Sequence, residues 1–410
     1  MGIDVAATVQ DFYDRYPYPP PAGDLERHQR AWQHPQRRRA EHHLLWPGRP
    51  YREDHAILVA GCGTSQAAKH ALRWPAAQVT AIDVSATSVR CTEELRRRHG
   101  LNNLQVRQLP VERARELGTA FDHIVCTGVL HHLADPDAGL AALRDVLAPD
   151  GAMHLMVYAP YGRTGVYIVQ EFCRRLGIEA TDDGIRELAE MLRALPPGHP
   201  LARLLREAPD FRDEAALADA LLHPKDRAYS VPQLFQLIAD ASLTFGRWVK
   251  QAPYSPHCGV LSRIPQAPRL KDLSLAEQYA AAELFRGTMV RHSLIAYKRD
   301  PSSTSDRVSF SDETWLDYVP LRRADTVCVQ ERVLSGATAV LINRSHTDRD
   351  LILPLNACEK RLFDAIDGSR TVRDVVKSAS ASCDRALQPD AARALFQQLW
   401  WYDHVVFDAS

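Results

Sequence analysis

Several protein classes are excluded by what the chain lacks. Its eight cysteines are Cys62, Cys91, Cys126, Cys173, Cys258, Cys328, Cys358 and Cys383, and no two of them form a CxxC pair. A zinc ribbon or thioredoxin motif is therefore not expected, and free thiols in a reducing compartment fit the pattern. No run of 18 apolar residues exists, so no membrane span is expected. The opening MGIDVAATVQDFYDRYPYPPP has no basic region followed by an apolar one, so it is not a signal peptide, and a cytoplasmic location is expected. Excess charge of one sign is missing too. Lys plus Arg number 50 against 51 Asp plus Glu, and a net charge of −1 gives no global field for nucleic acid or an anionic membrane. There is no internal repeat, and no His, Asp or Glu cluster has metal-ligand spacing, so no metal is expected.

What is present is an ordinary globular composition, 45 % apolar and 25 % charged over 410 residues. At about 100–200 residues per domain, two or three domains are expected. Residues 1–50 read as an amino-terminal lid. The run Tyr16-Pro17-Tyr18-Pro19-Pro20-Pro21 cannot be a helix interior, because proline lacks the N–H and forces extended neighbours. Phe12, Tyr13, Tyr16 and Tyr18 are too aromatic for a disordered tail.

From Ala56 the pattern changes. Strand-length apolar runs at 56–60, 78–82, 104–109, 121–126 and 152–158 alternate with helical stretches. Leu140, Leu143 and Leu147 form one helical stripe. Continuous apolar strands alternating with helices indicate a parallel sheet covered on both faces. Residues 178–230 read as a helical insertion, with Ile185, Leu188, Leu192 and Leu195 on one stripe. A helix at 232–241, a strand at 243–249, a helix at 274–286 and a strand at 289–297 complete a domain spanning 51–300. The stretch 301–309 is a linker by composition. Residues 310–410 read as a small winged-helix-like α+β module, with three strand-like runs, three helices and a closing strand at 402–407.

The chemistry gathers at the ends of these strands. VAGCGTSQ, at 59–66, follows a short strand and opens a helix, and its Gly61-x-Gly63 spacing allows a sharp turn close to a ligand. Asp83, in AIDVS, ends the second strand about 20 residues later, where a carboxylate can accept from both ribose hydroxyls of a nucleotide. The same residue could instead cap a helix, a task open to Ser85 as well. His131 and His132 follow the fourth strand, at the edge where ligands bind in such sheets, and imidazole suits proton removal near neutral pH. They are the candidate catalytic residues, His132 ahead of His131, against the alternative of packing or capping. His292, in VRHSLIAY, reads as a strand histidine.

The segment FDHIVCTGVLHHLADPDAGLAALRDVLAPDGAMHLMVY, at 121–158, resembles the class I S-adenosylmethionine-dependent methyltransferases. The features are Phe121-Asp122, Thr127-Gly128, Leu130-His131-His132-Leu133 and the turn Leu147-Ala148-Pro149-Asp150-Gly151. The resemblance covers 50–160 well and 230–298 more loosely. It implies a seven-stranded, mostly parallel sheet, S-adenosylmethionine as cofactor and S-adenosylhomocysteine as product. By the same resemblance Ala60, Gly61 and Gly63 line the methionine part, Asp83 binds the ribose, and Val84 packs on the adenine. Thr127 and Gly128 face the transferable methyl. Where many members carry an Asp-Ala pair, this chain has Pro110-Val111 followed by Glu112, so Val111 and Glu112 are the expected adenine contacts. Tyr158, Tyr161 and Arg163 stand where the family builds one acceptor wall, and Tyr13, Tyr16 and Tyr18 could cover the site from the lid.

The resemblance implies methyl transfer by in-line substitution to a small-molecule acceptor. Two alternatives stay open: a peptide or protein substrate docked by 310–410, or a scaffold that binds the cofactor without turnover. Base methylation of nucleic acid is disfavoured, since Cys126-Thr127-Gly128-Val129 stands where an Asn-Pro-Pro-Tyr-type tetrad is common. The carboxy-terminal module could equally form a homodimer interface.

Overall fold

The computed structural model describes residues 5–207, 213–299, 308–380 and 389–410. Residues 301–307 of the composition-defined linker, and Cys383, lie outside the described residues. By contact density the chain forms two units. Unit 1 comprises 1–31, 53–245 and 283–299, and unit 2 comprises 32–52, 246–282 and 300–410. Among the described residues no helix is long and apolar enough to cross a membrane, and every cysteine is a free thiol.

The principal sheet has seven strands: β1 (Ala56–Ala60), β2 (Gln78–Asp83), β3 (Leu104–Gln108), β4 (Phe121–Thr127), β5 (Leu147–Tyr158), β6 (Leu243–Trp248) and β7 (Arg291–Lys298). Their order is β3-β2-β1-β4-β5-β7-β6. The pairs β1-β2, β2-β3, β1-β4 and β4-β5 are parallel, and β5-β7 is antiparallel. This is the expected mostly parallel sheet with flanking helices. β1 is the reason the sequence reads as a buried parallel strand: Ile57, Leu58, Val59 and Ala60 are all 0 % exposed, so both faces are covered. The order reverses between β1 and β4, and such a switch point opens a crevice at the carboxyl ends of the strands.

β5 starts earlier than its apolar run suggests. Leu147 already pairs with Phe121, and the register then shifts so that Ala152 faces His123. The Pro-Asp-Gly turn is thereby absorbed as an irregularity within the strand rather than standing before it.

Directly after β5 the described residues form the helices Thr164–Leu176, Asp182–Arg193, Pro200–Glu207 and Glu214–Leu221. Their apolar stripes meet in one cluster that includes Val166, Val169, Leu188, Leu201 and Leu221. The loop that follows is tied back to the sheet edge. Arg227 N–H donates to the His131 carbonyl at 3.1 Å, and Tyr229 N–H to the Tyr158 carbonyl at 2.9 Å. At the amino terminus, helix Val5–Arg15 precedes the extended Pro-rich run. Asp14 Oδ1 accepts from the Ser85 hydroxyl at 2.6 Å and the Thr87 amide at 3.0 Å. The Thr64 hydroxyl donates to the Pro19 carbonyl at 2.7 Å, which straps the run onto the turn after β1.

Unit 2 carries two small antiparallel sheets. β9 (Thr326–Val329), β10 (Ala339–Asn343) and β11 (Ile352–Leu355) form one, in the order β11-β10-β9. β8 (Val319–Arg322) pairs with β12 (Val405–Asp408) in the other. Helices Ala357–Asp364, Val372–Ser380 and Pro389–Trp401 accompany them. The unit has its own core around Trp315, Leu341, Leu353, Phe363, Phe396 and Phe407.

Candidate functional site

A cavity of about 760 Å³ lies at the carboxyl edge of the parallel strands, lined entirely by residues of unit 1. Its first wall is the turn after β1. Gly61 and Gly63 have φ of +70° and +53°, a region that side chains disfavour. A Cβ at Gly61 would stand 2.2 Å from Val129 Cγ2, so glycine is required there for space as well. Gly61 and Cys62 donate their amides to the Ile82 carbonyl at 2.9 and 3.0 Å, which docks the turn onto β2.

Asp83 closes this wall. Its Oδ2 accepts from Gly63 N–H at 2.8 Å and its Oδ1 from Ser85 N–H at 2.9 Å. Burial pushes its pKa up, and those two amide bonds oppose the rise. Helix capping is done by Ser85, whose hydroxyl accepts from Ser88 N–H at 3.1 Å. Each Asp83 oxygen therefore retains lone-pair capacity beside the cavity. Val84, Val111, Glu112, Thr127 and Gly128 also line it. Thr127 Oγ1 accepts from Gln66 Nε2 at 2.6 Å. Ala60 is fully buried in β1 and lies behind the wall.

The inner end is built from four chain segments. His132, Tyr158, Arg163 and Asp219 line it, with Tyr13 from the amino-terminal helix. Asp219 is 2 % exposed and accepts from the Tyr13 hydroxyl at 2.8 Å and the Tyr158 hydroxyl at 3.2 Å. Burial raises its pKa, against the nearby His132 and the Tyr13 bond. Burial also raises both tyrosines well above their usual range, so they stay neutral donors. His132 Nδ1 lies 2.7 Å from the Lys225 carbonyl. A carbonyl can only accept, so the proton of neutral His132 sits on Nδ1 and Nε2 is left as a lone pair. The next interaction reverses the sense: Lys225 N–H donates to His223 Nδ1 at 3.0 Å, which leaves the proton of neutral His223 on Nε2. Burial holds the His223 pKa well below its usual value. The His132 and His223 rings lie 3.9 Å apart.

The remaining candidates are placed as follows. Tyr18 lines the cavity beside Pro19. Arg163 is buried, its guanidinium 3.6 Å above the Tyr158 ring and 3.0 Å from Asp226 Oδ2, so its charge already has a partner. His131 is fully buried with its ring 4.0 Å from that of Tyr158, behind the wall. Burial, with His132 and Arg163 nearby, keeps it neutral. Tyr16 packs on Phe12 and donates to Asp182 at 2.9 Å, and Tyr161 is 42 % exposed. His292, on β7, pairs at 3.0 Å with Glu283 of helix Leu275–Arg286.

Sequence reading missed Asp219 and His223. The signal was available: Asp219 is the one acid between Ala215 and Leu222, in a helix whose 216–221 face is buried, and His223 follows at i+4. His132, Asp219 and His223 offer side-chain atoms within 4.8 Å of one another, a convergence that residues so far apart in the chain do not announce.

Comparison with known proteins agrees with this geometry. A family profile described as a methyltransferase domain matches residues 58–153. An uncharacterized protein of Synechococcus sp. is 32 % identical over 295 residues, covering 69 % of this chain and 70 % of that protein. The fold is similar to PKMT2 from Rickettsia typhi. Against its complex with AdoHcy the TM-score is 0.63 at 15 % identity, covering 92 % of this chain and 76 % of the other. Against a second structure of the same protein it is 0.65 at 15 % identity, covering 92 % and 75 %.

Proposed function

The chain belongs to the class I S-adenosylmethionine-dependent methyltransferases, in one family with the Synechococcus protein, and from that premise we propose that it methylates a small-molecule acceptor in this cavity, with His132 as general base. The observation that carries the proposal is the continuity of one cavity from the Gly61–Gly63 turn and Asp83 to His132. A volume of about 760 Å³ suits ligands of metabolite size, since such sites span roughly 300–1,000 Å³.

The residues fit the cofactor. Asp83 keeps lone pairs for the two ribose hydroxyls while the Gly63 and Ser85 amides fix its rotamer. Val84 and Val111 would flank the adenine, with Glu112 beside them. Gly61 and Gly63 would admit the methionine part, with Thr127 and Gly128 toward the methyl. When bound, S-adenosylmethionine supplies a methyl carbon already activated by the sulfonium. The protein is left to align, to desolvate and to take a proton. His132 is oriented for that last step by the Lys225 carbonyl, and one of its ring nitrogens lies within 4.8 Å of side-chain ligand atoms of Asp219 and His223. Arg163, paired with Asp226, holds the Tyr158 ring rather than an anion.

Calorimetric titration with S-adenosylmethionine, S-adenosylhomocysteine and NAD, followed by S-adenosylhomocysteine release with candidate acceptors, tests the reading. Binding of the first two and not NAD, with turnover of small metabolites, is expected. Turnover only with peptides would transfer the function to a substrate docked by residues 310–410. Cofactor binding with no turnover of any acceptor would favour a scaffold.

A further inference from the structure

The inner end of the cavity selects among nucleophiles, on the premise of the methyltransferase reading above. Two hydrogen-bond acceptors converge there. One is the buried carboxylate of Asp219, and no cation among the described residues lies within ion-pair distance of it: the nearby Arg163 is bound to Asp226. Its two oxygens take one tyrosine hydroxyl each, and a carboxylate has room for about four donors, so capacity remains. The second acceptor is His132 Nε2, bare because the Lys225 carbonyl holds the proton on Nδ1. Aromatic rings surround the pair: Tyr13 and Tyr158 have centroids 6.1 and 5.8 Å from that of His132.

A partner for this arrangement must be positively charged and must offer at least two hydrogens. A hydroxyl or thiol has one hydrogen and no charge. A carboxylate or phosphate would be repelled by Asp219. A protonated amine meets both demands and is further favoured by aromatic faces. We propose that the methyl acceptor is an aliphatic amine, bound as its ammonium against Asp219 and deprotonated by His132. An N–H proton passes to His132 Nε2, and the freed nitrogen lone pair forms the new N–C bond. The C–S bond breaks with its electron pair going to sulfur, leaving a neutral thioether. The product nitrogen carries the positive charge, still opposite Asp219.

A divalent ion held by His132, Asp219 and His223 is the competing use of the same atoms. The Lys225 amide argues against it, because it occupies His223 Nδ1 and leaves the proton on the nitrogen that would have to bind the metal.

The test uses the full chain. S-adenosylhomocysteine release is measured with butylamine, 1,5-diaminopentane and a lysine-containing peptide, against butanol, butanethiol and butyrate. Calorimetry with the same amines is run on enzyme saturated with S-adenosylhomocysteine. Turnover or binding confined to amines is expected, and the free and peptide amines tell the source apart. Asp219→Asn, which keeps an acceptor for a tyrosine hydroxyl, should raise the KM for the amine 10- to 100-fold with unchanged affinity for S-adenosylhomocysteine. The idea is overturned by preferential turnover of the alcohol, thiol or acid, or by an unchanged amine KM in Asp219→Asn. It is equally overturned if no amine turns over or binds while S-adenosylhomocysteine does, or if Zn²⁺ binds stoichiometrically and is needed for turnover. Failure to bind S-adenosylhomocysteine at all would instead defeat the underlying reading.

Discussion

Asp219 in unit 1 and Asp403 in unit 2 are equally buried, 2 % and 1 % exposed, yet the protein treats them in opposite ways. Asp403 accepts from Arg247 at 3.0 Å, His346 Nε2 at 3.1 Å and the amides of Gln251 and Ala252 at 2.7 and 3.0 Å. Burial alone would raise its pKa, but the His346 bond and the charges of His346 and Arg247 outweigh burial and hold it low. Asp219 receives only two neutral hydroxyls, and burial wins. A charge placed for structure is surrounded by donors of its own chain. A charge beside a cavity is left short of them, and the deficit is what a ligand can fill.

The largest effect expected along this contrast is that of acid. Burial depresses the pKa of His70, His123, His131 and His223 in unit 1, and in unit 2 that of His257 to about 4 and His404 to about 3. The unfolded chain takes up these protons near pH 6.5, well before the folded one does. Stability is therefore full above about pH 6.5 and falls as pH drops toward the folded values. Denaturant midpoints followed from pH 8 to pH 4 should decline steeply, and a flat profile would show that these rings titrate normally.

Next comes Asp403→Ala. It strands Arg247 without its carboxylate and should cost about 3–5 kcal/mol, read from urea unfolding. A loss below 1 kcal/mol would erase the distinction drawn between the two carboxylates. A smaller effect is expected at the cofactor. Asp83→Ala should weaken S-adenosylhomocysteine binding by about 1–3 kcal/mol in calorimetry. Unchanged affinity would remove Asp83 from the site. Smallest is Ser85→Ala, which deletes the cap and its bond to Asp14 and should lower stability by about 1 kcal/mol. Little change in cofactor affinity there would separate the capping role of Ser85 from that of Asp83.

The sheet was legible because β1, β2 and β4 are short apolar runs that need no distant partner to be recognised. The Gly61–Gly63 turn and Asp83 were legible for a related reason: the connection from β1 through one helix to β2 fixes their separation along the chain. Less could be read for Tyr16 and Tyr161, whose residue type suits a pocket while their packing takes one to Asp182 and the other to solvent. Arg163 was expected in the acceptor wall, but its charge is matched by Asp226, 63 residues further on.

The sequence by itself determined the parallel sheet, its Gly-turn and the carboxylate at the end of β2, because these follow from local periodicity and short connections. Tertiary structure alone decided the inner end of the cavity. Tyr13, His132, Tyr158 and the Asp219–His223 pair come from four separate segments, and the Lys225 peptide sets which imidazole nitrogens carry protons. No local pattern encodes that convergence. It arises when the helices after β5 bury their apolar stripes and the loop behind them hydrogen-bonds back to His131 and Tyr158.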